Sequence, residues 1–353
     1  MIFVSFVVNK SLGILSRQPF SKNLRIKVVN MKSASLIFVL LALAAPVPRI
    51  DAADKARIAV TNFNLSYLPV GVAIKRGFFK DEGLDVEVIR MNTPTTLTAM
   101  MTGDVGYTML FGSVVRAALR GLPIRALASL LDSPTYALIA RAEYKTLKDL
   151  KGKTVGIANF GGTDEVLSKL ILKGQGIDPE RELKFIALGT DRARLAALKE
   201  GLVDVAIISP PGDTLGRQMG FNVLTRAHEH FNFPFLGIGS NLKSLKERPL
   251  EVRRLTKALV RANRFIRDDK AGAVSILVDW AKIERDHAIA SYDSVWKVFS
   301  PDGNISPDGL RLVLEQAKAE LKLTRDIPLS EIVDPLPLQE AQRELGIRKA
   351  EKN

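Results

Sequence analysis

The residues best suited to chemistry in this chain lie in short polar loops. The most informative is Asn159-Phe160-Gly161-Gly162-Thr163-Asp164, between an apolar run and a helix-forming one. Two adjacent glycines let backbone amides approach a ligand closely. The N-terminus of the following helix carries unpaired N–H groups and a partial positive charge suited to an anion. Thr163 can donate its hydroxyl to such a ligand, or Thr163 or Asp164 can simply cap the helix. A carboxylate at 164 repels an anion unless it faces away.

Six further loops share this character: Asn62 to Tyr67, Asn92 to Thr95, Phe111 to Ser113, Leu131 to Ser133, Gly189 to Asp191, and Ser209 to Gly212. Each carries hydroxyl, amide or glycine groups where an apolar run ends. Any one of them reads as a turn; as a set they mark the rim of one ligand site. The candidate contacts are Asn62, Phe63, Asn64, Tyr67, Thr93, Ser113, Ser133, Phe160, Gly161, Gly162, Thr163, Asp191 and Ser209. Phe63, Tyr67, Phe111 and Phe160 add aromatic surface, which fits a solute with a flat or apolar part better than bare nitrate. The alternative is that at least two of the four belong to the core.

Catalytic patterns are poor. The sequence contains no GxSxG, HExxH, GxxxxGK[ST] or GxGxxG. His228-Glu229-His230 puts two histidines on one side of an extended segment with no apparent third ligand, so a polar surface loop is expected and no metal site. His287, beside Arg285 and Asp286, reads as a helix start. Asp81-Glu82 and Asp268-Asp269 read as exposed turns without the burial that general acid–base work needs. Trp280 and Trp296 fall on helical stripes. No cofactor is expected. The chain has no cysteine, which excludes disulfides, thiolate metal sites, cysteine nucleophiles and a lipidated cysteine anchor.

An α/β scaffold must position these loops. From Lys55 onward short apolar strands alternate with helices, the pattern of parallel βα units. ARIAVT, LDVEVI, VGYTML and IRALASL read as strands of a first series, with helices over Thr95 to Met101 and Ser113 to Arg120. Val70, Ile74 and Phe78 recur four apart and predict one helix face. Gly77 and Gly83 allow the reversal into the second strand, and Phe78, Phe79 and Leu84 are expected in the core. KTVGIA, LKFIAL and VDVAII predict a second series, with helices over Asp164 to Leu172 and Arg192 to Glu200. The chain is expected to cross between the two at Thr135 to Arg141 and to return through Phe233 to Ser240, a two-segment hinge. Residues 53–140 with 241–353 then form a first lobe and residues 141–240 a second. The remaining helices are expected on the first lobe; Val252, Leu255, Leu259, Ala262 and Ile266 make one stripe of a helix over Leu250 to Ile266. Ligands bind such open sheets at the carboxyl ends of the strands.

The run YLPVGVAIKRGFFKDEGLDVEVI resembles the signature of the solute-binding proteins that serve ABC importers of nitrate, sulfonates, taurine and thiamine-precursor pyrimidines. The resemblance continues through TAMMTGDVGYTM, LKDLKGKTVGI and KEGLVDVAIIS, and so spans most of residues 56–240. It implies the type 2 periplasmic-binding-protein fold, two α/β lobes that close over a small solute. It also implies a permease partner in the inner membrane and no enzymatic activity. Relatives on this scaffold that synthesise the thiamine pyrimidine carry a cysteine cluster, which this chain lacks. A ligand-sensing lobe of a regulator is a third reading, but it needs an output module that the sequence does not show.

The apolar run Leu36 to Ala45, behind Met31 and Lys32 and ahead of Ile50-Asp51-Ala52-Ala53, reads as an export signal. Residues 1–52 are thus expected to be leader, with translation starting at Met31 and the mature chain in the periplasm. That segment holds seven Lys/Arg and one Asp, so the rest of the chain carries +7 of the total +13. The remaining basic residues are interspersed with acids, as in KIERD. Solvated helix faces and a monomer are expected, with no nucleic-acid partner. A small organic anion or a heteroaromatic compound is the expected solute.

Overall fold

In a computed structural model of the chain, residues 54–324 and 326–347 are described. The expected leader and the Met31 start lie outside them.

The first series runs β1 (Asp54–Val60), α1 (Leu68–Lys75), α2 (Phe78–Asp81), β2 (Leu84–Arg90), α3 (Thr93–Thr102), β3 (Tyr107–Leu110), α4 (Gly112–Leu119) and β4 (Ile124–Leu131). The second runs β5 (Ala137–Ala140), β6 (Thr154–Ile157), α5 (Thr163–Gly174), β7 (Lys184–Ala187), α6 (Asp191–Lys199), β8 (Val205–Ile208), α7 (Gly212–Gln218) and β9 (Asn222–Arg226). The chain then forms β10 (Leu236–Asn241) and the helices α8 (Leu242–Glu247), α9 (Pro249–Asp268), α10 (Lys270–Ala281), α11 (Arg285–Val295), α12 (Pro307–Leu321) and α13 (Leu336–Glu344).

Two five-stranded mixed sheets result, ordered β2-β1-β3-β10-β4 and β7-β6-β8-β5-β9. In the first, β1 is parallel to β2 and β3, while β10 is antiparallel to β3 and β4. In the second, β6 is parallel to β7 and β8, while β5 is antiparallel to β8 and β9. Every residue of β3, β5 and β8 is buried, which is why these strands read as unbroken apolar runs. The edge strand β2 alternates instead, with Leu84 buried and Asp85 and Glu87 exposed.

Each antiparallel strand is the one reached by a crossing between the sheets. The crossings occupy residues 132–136 and 227–235, and the expected lobe boundaries at 140/141 and 240/241 shift accordingly. β5 belongs to the second sheet and β10 to the first. An apolar run looks the same whichever sheet it enters, so only the pairing partners reveal its place. Ile74 also departs from expectation: it is 40% exposed, because Leu68, Val70, Val72 and Ala73 already bury the inner side of α1. The late helices pack chiefly on the first lobe, with α9 against α1 and α13. Two of them reach the second lobe as well. His287 of α11 bonds Gln218 of α7 at 2.6 Å, and Glu320 of α12 pairs at 3.8 Å with Arg116, which also bonds the second lobe.

Candidate functional site

The carboxyl ends of β1, β6 and β8 meet between the sheets around a cavity of about 270 Å³. The first lobe contributes Thr61, Asn62, Asn64, Ser66, Tyr67, Arg90, Met91 and Asn92. The second contributes Ala158, Asn159, Gly189, Thr190, Asp191, Arg194 and Ser209, and the crossings add Tyr136, Phe235 and Leu236.

Asp191 is the centre of this arrangement. It begins α6, behind the capping hydroxyl of Thr190, which accepts from the Ala193 N–H. Its Oδ2 accepts from the side-chain amides of Asn62 and Asn64 across the cleft, each at 2.7 Å. Its Oδ1 accepts from the Ser209 N–H at 3.0 Å and pairs with the Arg194 guanidinium one turn along α6. Arg194 is 2% exposed and also lies 3.7 Å from the buried carboxylate of Asp164. Burial works against its charge, but Asp191 and Asp164 hold the guanidinium above the ordinary arginine range. Burial raises the Asp164 carboxyl, against the pull of Arg194 and of the Ala158 N–H.

Across the same gap the Leu65 N–H reaches the Pro210 carbonyl at 3.4 Å, while Ser66 Oγ bonds Thr135 Oγ1 of the first crossing at 2.6 Å. On a second edge, buried Arg116 of α4 donates to Ser113 Oγ at 3.0 Å and to the Gly161 carbonyl at 3.2 Å. Tyr67 OH bonds Thr61 Oγ1 at 2.6 Å, and Tyr136 meets Phe235 edge-on at 5.1 Å.

The structure thus brings together Asn62, Asn64, Tyr67, Asp191 and Ser209. The other candidate residues lie elsewhere. Phe63 stands edge-on to Trp280 at 4.8 Å. Thr93 is buried in the first turn of α3, and its neighbour Asn92 lines the cavity instead. The Ser113 hydroxyl is taken by Arg116, and Ser133 bonds Asn232 at 3.2 Å. Phe160 is 57% exposed. Thr163 lies beside Gly112 and Arg116 on the second edge. Gly161 offers its N–H to Glu165 at 2.7 Å. Gly162 has no room for a side chain, since a Cβ would sit 2.5 Å from an Asp164 oxygen. Of the Asn159–Thr163 loop only Asn159 lines the cavity; the Gly161 N–H goes to Glu165 and its carbonyl to Arg116.

Thr61, Arg90, Met91, Tyr136, Ala158, Arg194, Phe235 and Leu236 escaped the sequence reading. The one local signal was the Asp191–Arg194 spacing of three, which normally describes an exposed helix pair. The histidines serve elsewhere. His230 Nε2 bonds Thr225 at 2.7 Å, and Glu229 closes a capping turn with Arg226. Among the described residues no group of three His, Asp or Glu side chains can hold a metal, and no helix is long and apolar enough to cross a membrane.

The chain is similar to YtlA of Bacillus subtilis, which is named as a binding protein: 24% identical over 311 residues, 84% of this chain and 92% of YtlA. The 4-amino-5-hydroxymethyl-2-methylpyrimidine phosphate synthase THI13 of Saccharomyces cerevisiae is 28% identical over 148 residues, 40% of this chain and 42% of the yeast protein. In fold, it matches the periplasmic nitrate-binding protein NrtA of Synechocystis with a TM-score of 0.70 at 13% identity, over 84% of this chain and 90% of NrtA. The alkanesulfonate-binding protein SsuA of Xanthomonas axonopodis, solved with MOPS bound, gives 0.64 at 16% identity, over 76% and 91%. Two mixed sheets flanked by helices, joined by two crossings, are the type 2 periplasmic-binding-protein fold. A family model described as NMT1/THI5 like matches residues 64–273, well over half of the sequence, and the chain belongs to that family.

Proposed function

We propose that this protein is the exported solute-binding component of an ABC importer. It closes its lobes over a small ring-bearing solute in the periplasm and delivers it, as a monomer, to an inner-membrane permease. The observation that carries this reading is the cleft itself, where Asp191 of one lobe meets Asn62 and Asn64 of the other. A solute held there contacts both lobes at once, so its binding favours the closed arrangement.

Of the two solute classes that the sequence left open, the geometry supports the heteroaromatic one. The one buried guanidinium at the cavity, Arg194, is already paired with half-buried Asp191 and with buried Asp164 behind it, so it is not free to hold an anion. Arg90 lines the rim and is exposed. Tyr67, Tyr136, Phe235 and Leu236 supply flat and apolar walls, while Asp191, Asn62, Asn64 and Asn159 present acceptors and amides. An uncharged ring with N–H donors, such as an aminopyrimidine, matches that lining. The synthase reading has less support: the relatives on this scaffold that make the thiamine pyrimidine carry a cysteine cluster, and this chain has no cysteine.

The test is a thermal-shift screen of refolded, ligand-free protein against aminopyrimidines, aromatic acids and alkanesulfonates. A ligand at a hundred times its Kd adds about 2.7 kcal/mol, a shift of several degrees for a chain of this size. Aminopyrimidines are expected to give that shift. Stabilisation by sulfonates alone would reverse the solute class, and stabilisation only by an unrelated class would overturn it.

A further inference from the structure

We propose that Asp191 acts as a built-in competitor for oxyanionic solutes and as the latch that holds the solute-free lobes together. The inference rests on the cleft being the solute site. Asp191 occupies it in the manner of a bound carboxylate ligand. One oxygen takes two amide donors from the first lobe, Asn62 and Asn64 at 2.7 Å each. The other takes a main-chain N–H from Ser209 at 3.0 Å and the guanidinium of Arg194. Those are the donors from both lobes that a sulfonate, nitrate or carboxylate would need in a closed cleft.

A carboxylate tethered to α6 competes at the high effective concentration of an intramolecular group. A free oxyanion must displace it and then face the freed charge beside Asp164, with Arg194 already shared between the two carboxylates. At the start of α5, two more carboxylates of this lobe take up main-chain N–H groups of the preceding segment. Asp164 accepts the Ala158 N–H, and Glu165 accepts the Gly161 N–H at 2.7 Å. A solute that brings N–H donors replaces the Asn62 and Asn64 amides at Asp191 Oδ2 like for like, and so keeps the carboxylate partnered. The same two amide bonds join the lobes directly, alongside Arg116–Gly161.

The native chain has no cysteine, so a dye pair can be placed uniquely, by Thr98→Cys on α3 and Lys199→Cys on α6, both exposed. Energy transfer in solute-free protein is expected to show one dominant high-transfer population, lost in Asp191→Asn and in the double variant Asn62→Ala/Asn64→Ala. The asparagine variant keeps the side-chain shape, and the double variant reads the latch from the other lobe if the first folds poorly. Calorimetric titration with methanesulfonate should give binding at least tenfold tighter to Asp191→Asn than to the wild type. Unchanged transfer in both variants, or equal methanesulfonate affinity in wild type and Asp191→Asn, would overturn the proposal. The transfer measurement contains no solute, so it holds its meaning even if no aminopyrimidine binds.

Discussion

Single residues in the cleft are engaged chiefly with one another, and Tyr67 shows the consequence for pH. It is 5% exposed, its hydroxyl bonds Thr61, and burial pushes its phenol up to about 12. An unfolded tyrosine titrates near 10. Between those values the folded chain keeps a proton that the unfolded chain has released. The contribution is therefore complete below about pH 10 and is lost as pH rises towards 12, by up to about 3 kcal/mol. Urea unfolding at pH 9, 10.5 and 12 should show a shallower decline for Tyr67→Phe than for the wild type. Part of the decline will persist, because burial also raises Tyr107, Tyr136 and Tyr292. Equal slopes would show that the phenol is not held in its neutral form. Tyr67 was legible in the sequence as an aromatic at a strand end, but its burial was not. Arg194 was hidden for the related reason that an Asp–Arg pair three apart on a helix carries no mark of depth.

At the scale of elements, β10 does more than close a sheet. It runs antiparallel between β3 and β4, shifts register at Leu236/Gly237, and brings Phe235 and Leu236 into the cavity wall. Gly237 makes that pairing possible. A Cβ there would sit 2.0 Å from the Ala128 carbonyl oxygen and 2.7 Å from the Phe111 ring. Gly237→Ala must push β10 away from β4, so a loss of about 1–3 kcal/mol is expected. It should appear in urea unfolding together with weaker solute binding, because the two cavity residues immediately precede it. Unaltered stability would mean that β10 slides at little cost. FPFLGIGS reads as a strand from its apolar residues. The need for glycine at 237 comes from a carbonyl more than a hundred residues away in sequence, and no local pattern shows it.

At the scale of the whole molecule, the C-terminal helices brace the cleft from behind. Trp280 of α10 donates its indole N–H to the Asn64 carbonyl at 3.1 Å, lies against Gly71 and stands edge-on to Phe63. Asn64 is one of the two amides that reach Asp191, so the indole shares a backbone with the bond that joins the lobes. Trp296, the other tryptophan of two, sits beside Arg267 and Lys297 instead. Solute binding is expected to change tryptophan emission in the wild type and in Trp296→Phe, and to leave Trp280→Phe silent. A signal that survives Trp280→Phe would place the moving contact elsewhere.

Hydrophobic period and glycine placement alone determined the βα order and the loops at the strand ends, because those features depend on neighbours a few residues apart. The opening candidate loop, Asn159 to Thr163, was correctly read as strand-to-helix. Its surroundings were decided by tertiary structure, which brought Arg116 of the other lobe onto the Gly161 carbonyl. Folding likewise made Asp191 the bridge between lobes, although Asn62 and Asp191 lie 129 residues apart. Charge balance in a cleft is a sum over groups that meet only when two sheets close on each other. A linear pattern can name those groups but cannot pair them.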